Sequence, residues 1–429
     1  MRLNFKNFLC QSLLTSIFIL LLSCEKQVDF SLPVPVFAGQ SGLLNSVELS
    51  DSAKYALEGI YKVKQGSDMF GDTLVLKQTG DKISLFGYKN GCYFILDAGS
   101  KNAQIILEGY WRFALNVRTG LVRFTIESAS KLIDGKTDNT SIIASGEYGN
   151  GESLPETSLS IELIKKFSPR LRADPFIIGA HRAGGRTSDL LPASENSVSM
   201  IKYTGYFGST GIEIDVALTK DKVPVLYHDD DLNMRLIQKG PLFGSIHDYT
   251  FAQLRSMVKL IHGEDIPTLE EAFAVTLNDT QLKYVWMDVK DAESIPIIIK
   301  LQRKYLDLAQ KGGRDLHILI GTPSEEVYNA LISVPNYQTI PSLCELSTDK
   351  VNALNAQVWA FRWTMGLQEE EVVKMHEQGR KCLVWTLDVP KFTEIYTTFG
   401  GADVTRRFDG LLTNYPSILA YYHYVRHNY

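Results

Sequence analysis

Gly211-Ile212-Glu213-Ile214-Asp215-Val216-Ala217-Leu218-Thr219-Lys220-Asp221-Lys222-Val223-Pro224-Val225-Leu226-Tyr227-His228-Asp229 is the stretch on which the fold turns. Ile212, Ile214 and Val216 alternate with Glu213 and Asp215, so residues 211–217 read as a strand with its two acids on one side. Residues 223–228 read as a second strand, but only 218–222 lie between the two, too few for a helical crossover. Either the chain makes a hairpin-like excursion here or one candidate strand is mistaken. Further candidate strands fall at 176–181, 283–289, 317–321, 339–344, 358–362, 381–387 and 409–413. Helix-period stretches at 195–203, 268–276, 295–309, 325–332, 368–378 and 391–399 alternate with most of them. Repeated βα units over about 250 residues argue for an α/β fold, an irregular (β/α)8 TIM-type barrel.

Upstream the rhythm changes. Residues 45–167 carry short strands broken by turn residues, with Val122, Phe124 and Ile126 alternating with Arg123 and Thr125, and predict an all-β accessory domain, a small sandwich or barrel. Its Tyr61, Tyr88, Tyr93, Tyr110 and Trp111 are a conceivable ligand surface, but aromatics are ordinary strand formers and a core role is the plainer reading. The polar, proline-bearing run 168–175 is read as a linker to the barrel domain, 176–429. At the start, Arg2 and Lys6 precede an apolar run over 13–22 and Leu21-Leu22-Ser23-Cys24, which reads as a secretory signal over 1–23 rather than a membrane span. The small residue before Cys24 resembles a lipobox, making Cys24 the expected lipidation site and 24–44 a tether. The expected location is therefore the bacterial cell envelope, lipid-anchored. Glu25 after the anchor is compatible with the outer membrane, and the membrane face stays open. Cys92, Cys344 and Cys382 form no metal-type spacing or disulfide framework and read as buried thiols. A formal net charge of −5, a pI near 6.0 and no basic cluster argue against nucleic acid as a partner.

In such barrels functional groups gather at the C-terminal ends of the strands. There the sequence offers His181-Arg182, Glu213 with Asp215, His228-Asp229, and Asp288 with Lys290. Three crowded carboxylates repel unless a cation lies between them, and all-oxygen ligation selects one hard divalent ion, Mg²⁺ or Ca²⁺. Arg182 and Lys290 would then face an anion, for which a phosphate diester suits a guanidinium fork plus a point charge. His181 and His228 are the natural proton-transfer pair near neutral pH.

Together, His181-Arg182-Ala183-Gly184-Gly185, Ser194-Glu195-Asn196-Ser197, the 213–229 stretch, Ile266-Pro267-Thr268-Leu269-Glu270-Glu271, Asp288-Val289-Lys290, Val384-Trp385-Thr386 and Asp409-Gly410-Leu411-Leu412-Thr413-Asn414-Tyr415-Pro416 resemble the glycerophosphodiester phosphodiesterase family of the PLC-like phosphodiesterase superfamily. The resemblance covers nearly all of 176–416 and none of the β domain. It implies metal-dependent hydrolysis of a small glycerophosphodiester to an alcohol and glycerol phosphate. It also implies Glu213, Asp215 and Asp288 as metal ligands, His181 and His228 as catalytic acid and base, and Arg182 and Lys290 on the phosphate. Glu195 matches a glutamate beside the metal and the arginine, and Trp385 an aromatic of the substrate pocket, although a core role for Trp385 is equally open. Three departures stand out: Ala183 lengthens the turn after His-Arg, Asp288 replaces the usual glutamate, and Ser197 the usual threonine. Rival readings are a phospholipase of C or D type acting on intact lipid, a non-enzymatic envelope lipoprotein binding a glycan or a protein partner, and a glycoside hydrolase. For the first, the loop 232–262 supplies apolar residues mixed with charges, a mixed lid rather than a membrane-inserting patch.

Overall fold

The structure, a computed structural model, describes residues 34–135 and 141–426. The signal segment 1–23, Cys24 and the first part of the tether lie outside the described residues. No helix among the described residues is long and apolar enough to cross a membrane.

The N-terminal part is a closed antiparallel barrel. Its strands are β1 (Val47–Glu48), β2 (Gly59–Gln65), β3 (Thr73–Thr79), β4 (Lys82–Phe86), β5 (Cys92–Lys101), β6 (Gln104–Phe113), β7 (Thr119–Ile126), β8 (Ile143–Tyr148) and β9 (Thr157–Lys165). From β2 to β9 each strand pairs with the next, and β9 returns to β2, so the eight close up-and-down with β1 appended to β5. Alternation explains the closure: Tyr61, Leu74, Leu76, Leu85, Phe94, Trp111 and Phe124 point inward and fill the barrel with side chains. Tyr61, Tyr93, Tyr110 and Trp111 are buried, and half-exposed Tyr88 leans on Tyr421, so these aromatics are packing residues.

On one side the outward residues are buried as well. Ile60, Val75, Phe86, Tyr93, Ile95 and Tyr110 belong to the same apolar cluster as the shell of the second barrel. The helix Pro416–Val425 is inserted there, and Tyr110 and Tyr203 share a hydrogen bond at 2.8 Å. The run 168–175 contains a helical turn, Pro169–Arg172, capped by Ser168, whose Leu171 enters that cluster and whose Arg172 pairs with buried Glu58.

The second part is a TIM-type barrel of eight parallel strands: β10 (Ile177–Ala180), β11 (Gly211–Leu218), β15 (Tyr284–Val289), β16 (His317–Thr322), β17 (Ser342–Cys344), β18 (Val358–Arg362), β19 (Lys381–Trp385) and β20 (Gly410–Thr413), closed by β10 pairing with both β11 and β20. The ninth candidate strand is the excursion: β12 (Pro224–Leu226) runs antiparallel to β11 and stands outside the barrel. A two-stranded ribbon, β13 (Asp231–Leu232) with β14 (Gly244–Ser245), extends it. Ile177, Trp286, Leu319, Leu343, Val358, Leu383 and Leu412 fill the interior, while the alternate residues pack under the helices. Cys92, Cys344 and Cys382 are buried free thiols.

Candidate active site

Strand period and register bring the acids together. Asp215 and Asp288 are register partners on β11 and β15, and Glu213 lies two residues before Asp215, so all three face the same mouth. One oxygen from each lies within 4.8 Å of the others. The shorter arm of Asp288 still reaches the cluster. Lys290 spans two of the acids, 2.9 Å from Asp215 and 2.6 Å from Asp288. It thus meets two of the carboxylates, and its spacing from Asp288 returns it to the same acids, so that any anion it reaches is shared with them. One ammonium against three carboxylates leaves the cluster over-negative. Burial, followed by the Asp215 and Asp288 charges, pushes the Glu213 carboxyl well up. Burial also pushes on Asp215, but Lys290, His228 and Asn196 outweigh it and hold that group below its ordinary value. An all-oxygen, excess-negative donor set of this size fits a hard divalent cation.

The two histidines are held by different partners. His181 closes β10, with Nδ1 2.9 Å from Asn414 Oδ1. Asn414 Nδ2 donates to Asp388, which fixes the amide, so His181 Nδ1 carries the proton and Nε2 is left bare, 3.8 Å from Glu213. Burial, then the Arg182 charge, lowers the His181 pKa and favours the neutral ring. His228, on the return arm of the excursion, places Nδ1 2.6 Å from Asp229 and Nε2 2.7 Å from Arg182 Nη2. A guanidinium only donates, so Nε2 accepts and Nδ1–H donates to Asp229.

Arg182 sits at the centre. Its backbone N–H donates to Glu213 at 2.7 Å, its Nη1 to Glu195 at 2.8 Å, and its Nε is buried with no hydrogen-bond partner, 4.0 Å from Asp215. Its φ of +51° and that of Ala183, +67°, are left-handed, the backbone consequence of the lengthened turn. Glu195 is an anchor for arginines: it also accepts from Thr187 N at 2.6 Å and from Arg235, which in turn grips Asp229. Trp385 ends β19 at the mouth, with Arg362 stacked 4.7 Å over its ring. The loop 232–262 spends Leu236 and Ile237 on its own buried cluster and exposes Phe243.

Several participants carry no role in the sequence reading. Asn196 and Asn414 stand inside quoted motifs, yet nothing in a sequence says which acid or imidazole an amide will meet. Arg235 carries no signal. Glu345 follows β17 at the mouth, a position open to inspection; its Oε1 is buried without a hydrogen bond, and burial followed by the Asp288 charge pushes its carboxyl up to about 8.

Comparison with known proteins gives the geometry its context. Over 139 residues the chain is 34% identical to human glycerophosphodiester phosphodiesterase 1, covering 30% of this chain and 38% of that protein. Against the mammalian relatives the matching stretch spans 17–38% of their length. A glycerophosphodiester phosphodiesterase of Caldanaerobacter subterraneus subsp. tengcongensis is 22% identical over 252 residues, 57% of this chain and 96% of that one. A crystal structure of a glycerophosphodiester phosphodiesterase from Parabacteroides distasonis superposes with a TM-score of 0.44 at 21% identity, over 58% of this chain and 97% of that chain. The family model for glycerophosphoryl diester phosphodiesterases matches residues 181–417, from the first histidine of the site to the helix after its last strand. Since that match takes in every strand-end group of the cluster and more than half of the sequence, the chain belongs to the glycerophosphoryl diester phosphodiesterase family.

Proposed function

We propose that this protein hydrolyses small glycerophosphodiesters to an alcohol and glycerol phosphate. The observation that carries the reading is the convergence of Glu213, Asp215 and Asp288 within 4.8 Å beside two imidazoles held in defined tautomers. The three acids would hold one divalent cation, Mg²⁺ or Ca²⁺, supplying Lewis-acid neutralisation of charge on a non-bridging phosphate oxygen. Arg182 binds the phosphate from the other side, its Nε having no hydrogen-bond acceptor of its own and the Asp215 carboxylate 4.0 Å away. His181 Nε2, unprotonated in the ring favoured by burial, takes the proton of the attacking oxygen. His228, oriented by Asp229 on Nδ1–H, acts as the acid in its doubly protonated form: Nε2 takes up a proton from water once Arg182 turns to the phosphate, delivers it to the leaving alcohol and returns the ring to the neutral state. Lys290 balances the acids and adds cationic charge toward the phosphate, and Trp385 flanks the substrate.

His181→Ala and His228→Ala, assayed on glycerophosphocholine, are each expected to lose about 10²–10⁴-fold in kcat. Wild-type turnover in either variant dismisses these roles. Thorough chelation with EDTA is expected to abolish turnover, with Mg²⁺ or Ca²⁺ restoring it. Intact phospholipid vesicles are expected to be poor substrates, because most apolar residues of the loop 232–262 are buried and the exposed Met234, Phe243 and Met257 stand apart among polar and charged neighbours. The chain is exported and anchored through Cys24; labelling with a fatty-acid analogue that persists in Cys24→Ala removes the anchor from the scheme.

A further inference from the structure

One charged side chain of the N-terminal barrel, Arg112, reaches the loop that follows His181-Arg182. Arg112, the penultimate residue of β6, is 3% exposed and forms no ion pair among the described residues. Burying a guanidinium without a counter-ion is costly unless its hydrogen bonds are used. Its Nη2 donates to the carbonyl oxygens of Asp189, at 3.0 Å, and of Leu190. Those carbonyls belong to the loop that follows His181-Arg182. The loop is unfavourable on its own: Arg182, Ala183 and Leu190 all adopt left-handed φ, which non-glycine residues hold only where the surroundings over-determine it.

From the two carbonyls the loop runs directly to the reacting groups. Asp189 accepts from Arg186 N at 2.9 Å and from Tyr415 Oη at 3.0 Å, next to the Asn414 that fixes His181. Thr187 donates from N and Oγ1 to Glu195, which holds Arg182. We propose that the N-terminal barrel completes the active site, with Arg112 a positioning residue that clamps the 183–191 loop and thereby sets Arg182 and His181. The effect on turnover rests on the phosphodiesterase reading above; the effect on the loop does not.

The test uses the full chain, with Arg112→Ala, Arg112→Gln and, as a control, Tyr110→Phe, which removes an inter-barrel hydrogen bond that does not touch the loop. Kinetics on glycerophosphocholine are read beside amide hydrogen exchange over 183–191. Arg112→Ala is expected to lose about a hundredfold in kcat/KM, the scale of a small misplacement of reacting groups. Arg112→Gln should lose less, added guanidinium should restore part of the rate to Arg112→Ala, and Tyr110→Phe should stay within about twofold of wild type. Exchange should quicken in 183–191 and not elsewhere. If Arg112→Ala does not fold, Arg112→Gln carries the same readouts. A folded Arg112 variant with wild-type kcat/KM and unchanged loop exchange overturns the inference, as does a loss spread over all peptides alike. A wild-type chain that cleaves no diester sinks the function instead, while the exchange comparison still decides the clamp.

Discussion

Asn196 does two jobs with one amide: its Nδ2 donates to Asp215 Oδ2 at 2.7 Å and its Oδ1 accepts the Asp215 backbone N–H at 3.1 Å. It holds this pose with a left-handed φ of +57°, a conformation asparagine tolerates better than most residues. Groups that orient a metal-binding acid are worth about 10–100-fold in metal affinity. Asn196→Ala is therefore expected to weaken divalent-cation binding by about that factor in calorimetric titration, and unchanged affinity would show that Asp215 needs no such support. In the proposed reaction His181 sets the acid limb of the pH profile. Acting as base it must be neutral, and because burial and Arg182 lower its pKa, the acid limb of kcat/KM should have its midpoint below the ordinary histidine value of about 6.5. A midpoint above that value would assign the limb to another group. Residue types and strand parity made the acids, imidazoles and Arg182 readable from the chain, since position two apart decides the face. Lys290 shows the limit: parity put it in the mouth, but its preference for Asp215 and Asp288 depends on distances that only the folded β11–β15 pair sets.

At the scale of elements, the eight strands of the second barrel were legible as apolar or alternating runs, whereas the seven-residue helices Phe251–Met257 and Thr348–Leu354 escaped, being about two turns long and too short to show a period. The helix Glu325–Ile332 falls where its periodicity puts it. Pro416–Val425 escaped because Ile418, Leu419, Ala420, Tyr421 and Tyr424 are buried around its circumference between the two barrels, leaving no polar stripe to mark a period. The helix Glu369–Glu377 is tied to the end of the barrel differently, by His376 Nε2 at 2.9 Å from Asp409 Oδ2, which also accepts from Cys382 N at 2.8 Å. The Asp409 bond, against burial, raises the His376 pKa. The folded state therefore binds this proton more tightly than the unfolded chain. The contribution is complete below about pH 6.5 and is lost as pH rises through the raised value. Melting temperatures measured across neutral pH should fall more steeply with pH in the wild type than in His376→Gln. Parallel slopes would mean that the pair contributes nothing to stability.

For the whole molecule, what the two barrels share governs how they unfold. The all-β character of the first was readable, but its purpose was not, because its contribution to the site is a single arginine on a strand, which by sequence alone is indistinguishable from a solvated one. Its outward residues Ile60, Val75, Phe86, Tyr93, Ile95 and Tyr110 lie in one apolar cluster with Phe207, Leu419 and Tyr421 of the second barrel, so separating the two would expose apolar surface on both. Glu58 adds a polar tie. Fully buried, it accepts from Lys77 and from Gln78 N on β3 and from Arg172 on the connecting turn. Removing its carboxylate strands two cations, each about three-quarters shielded from water, and breaking a buried pair of this kind costs about 3–5 kcal/mol, with water around the partly exposed partners holding the loss toward the lower end. Calorimetry of the full chain should accordingly show one cooperative transition, lowered but still single in Glu58→Ala. Two resolved transitions in the wild type would mean that the shared cluster does not couple the barrels, and that the arginine clamp holds a loop whose own domain melts without regard to it.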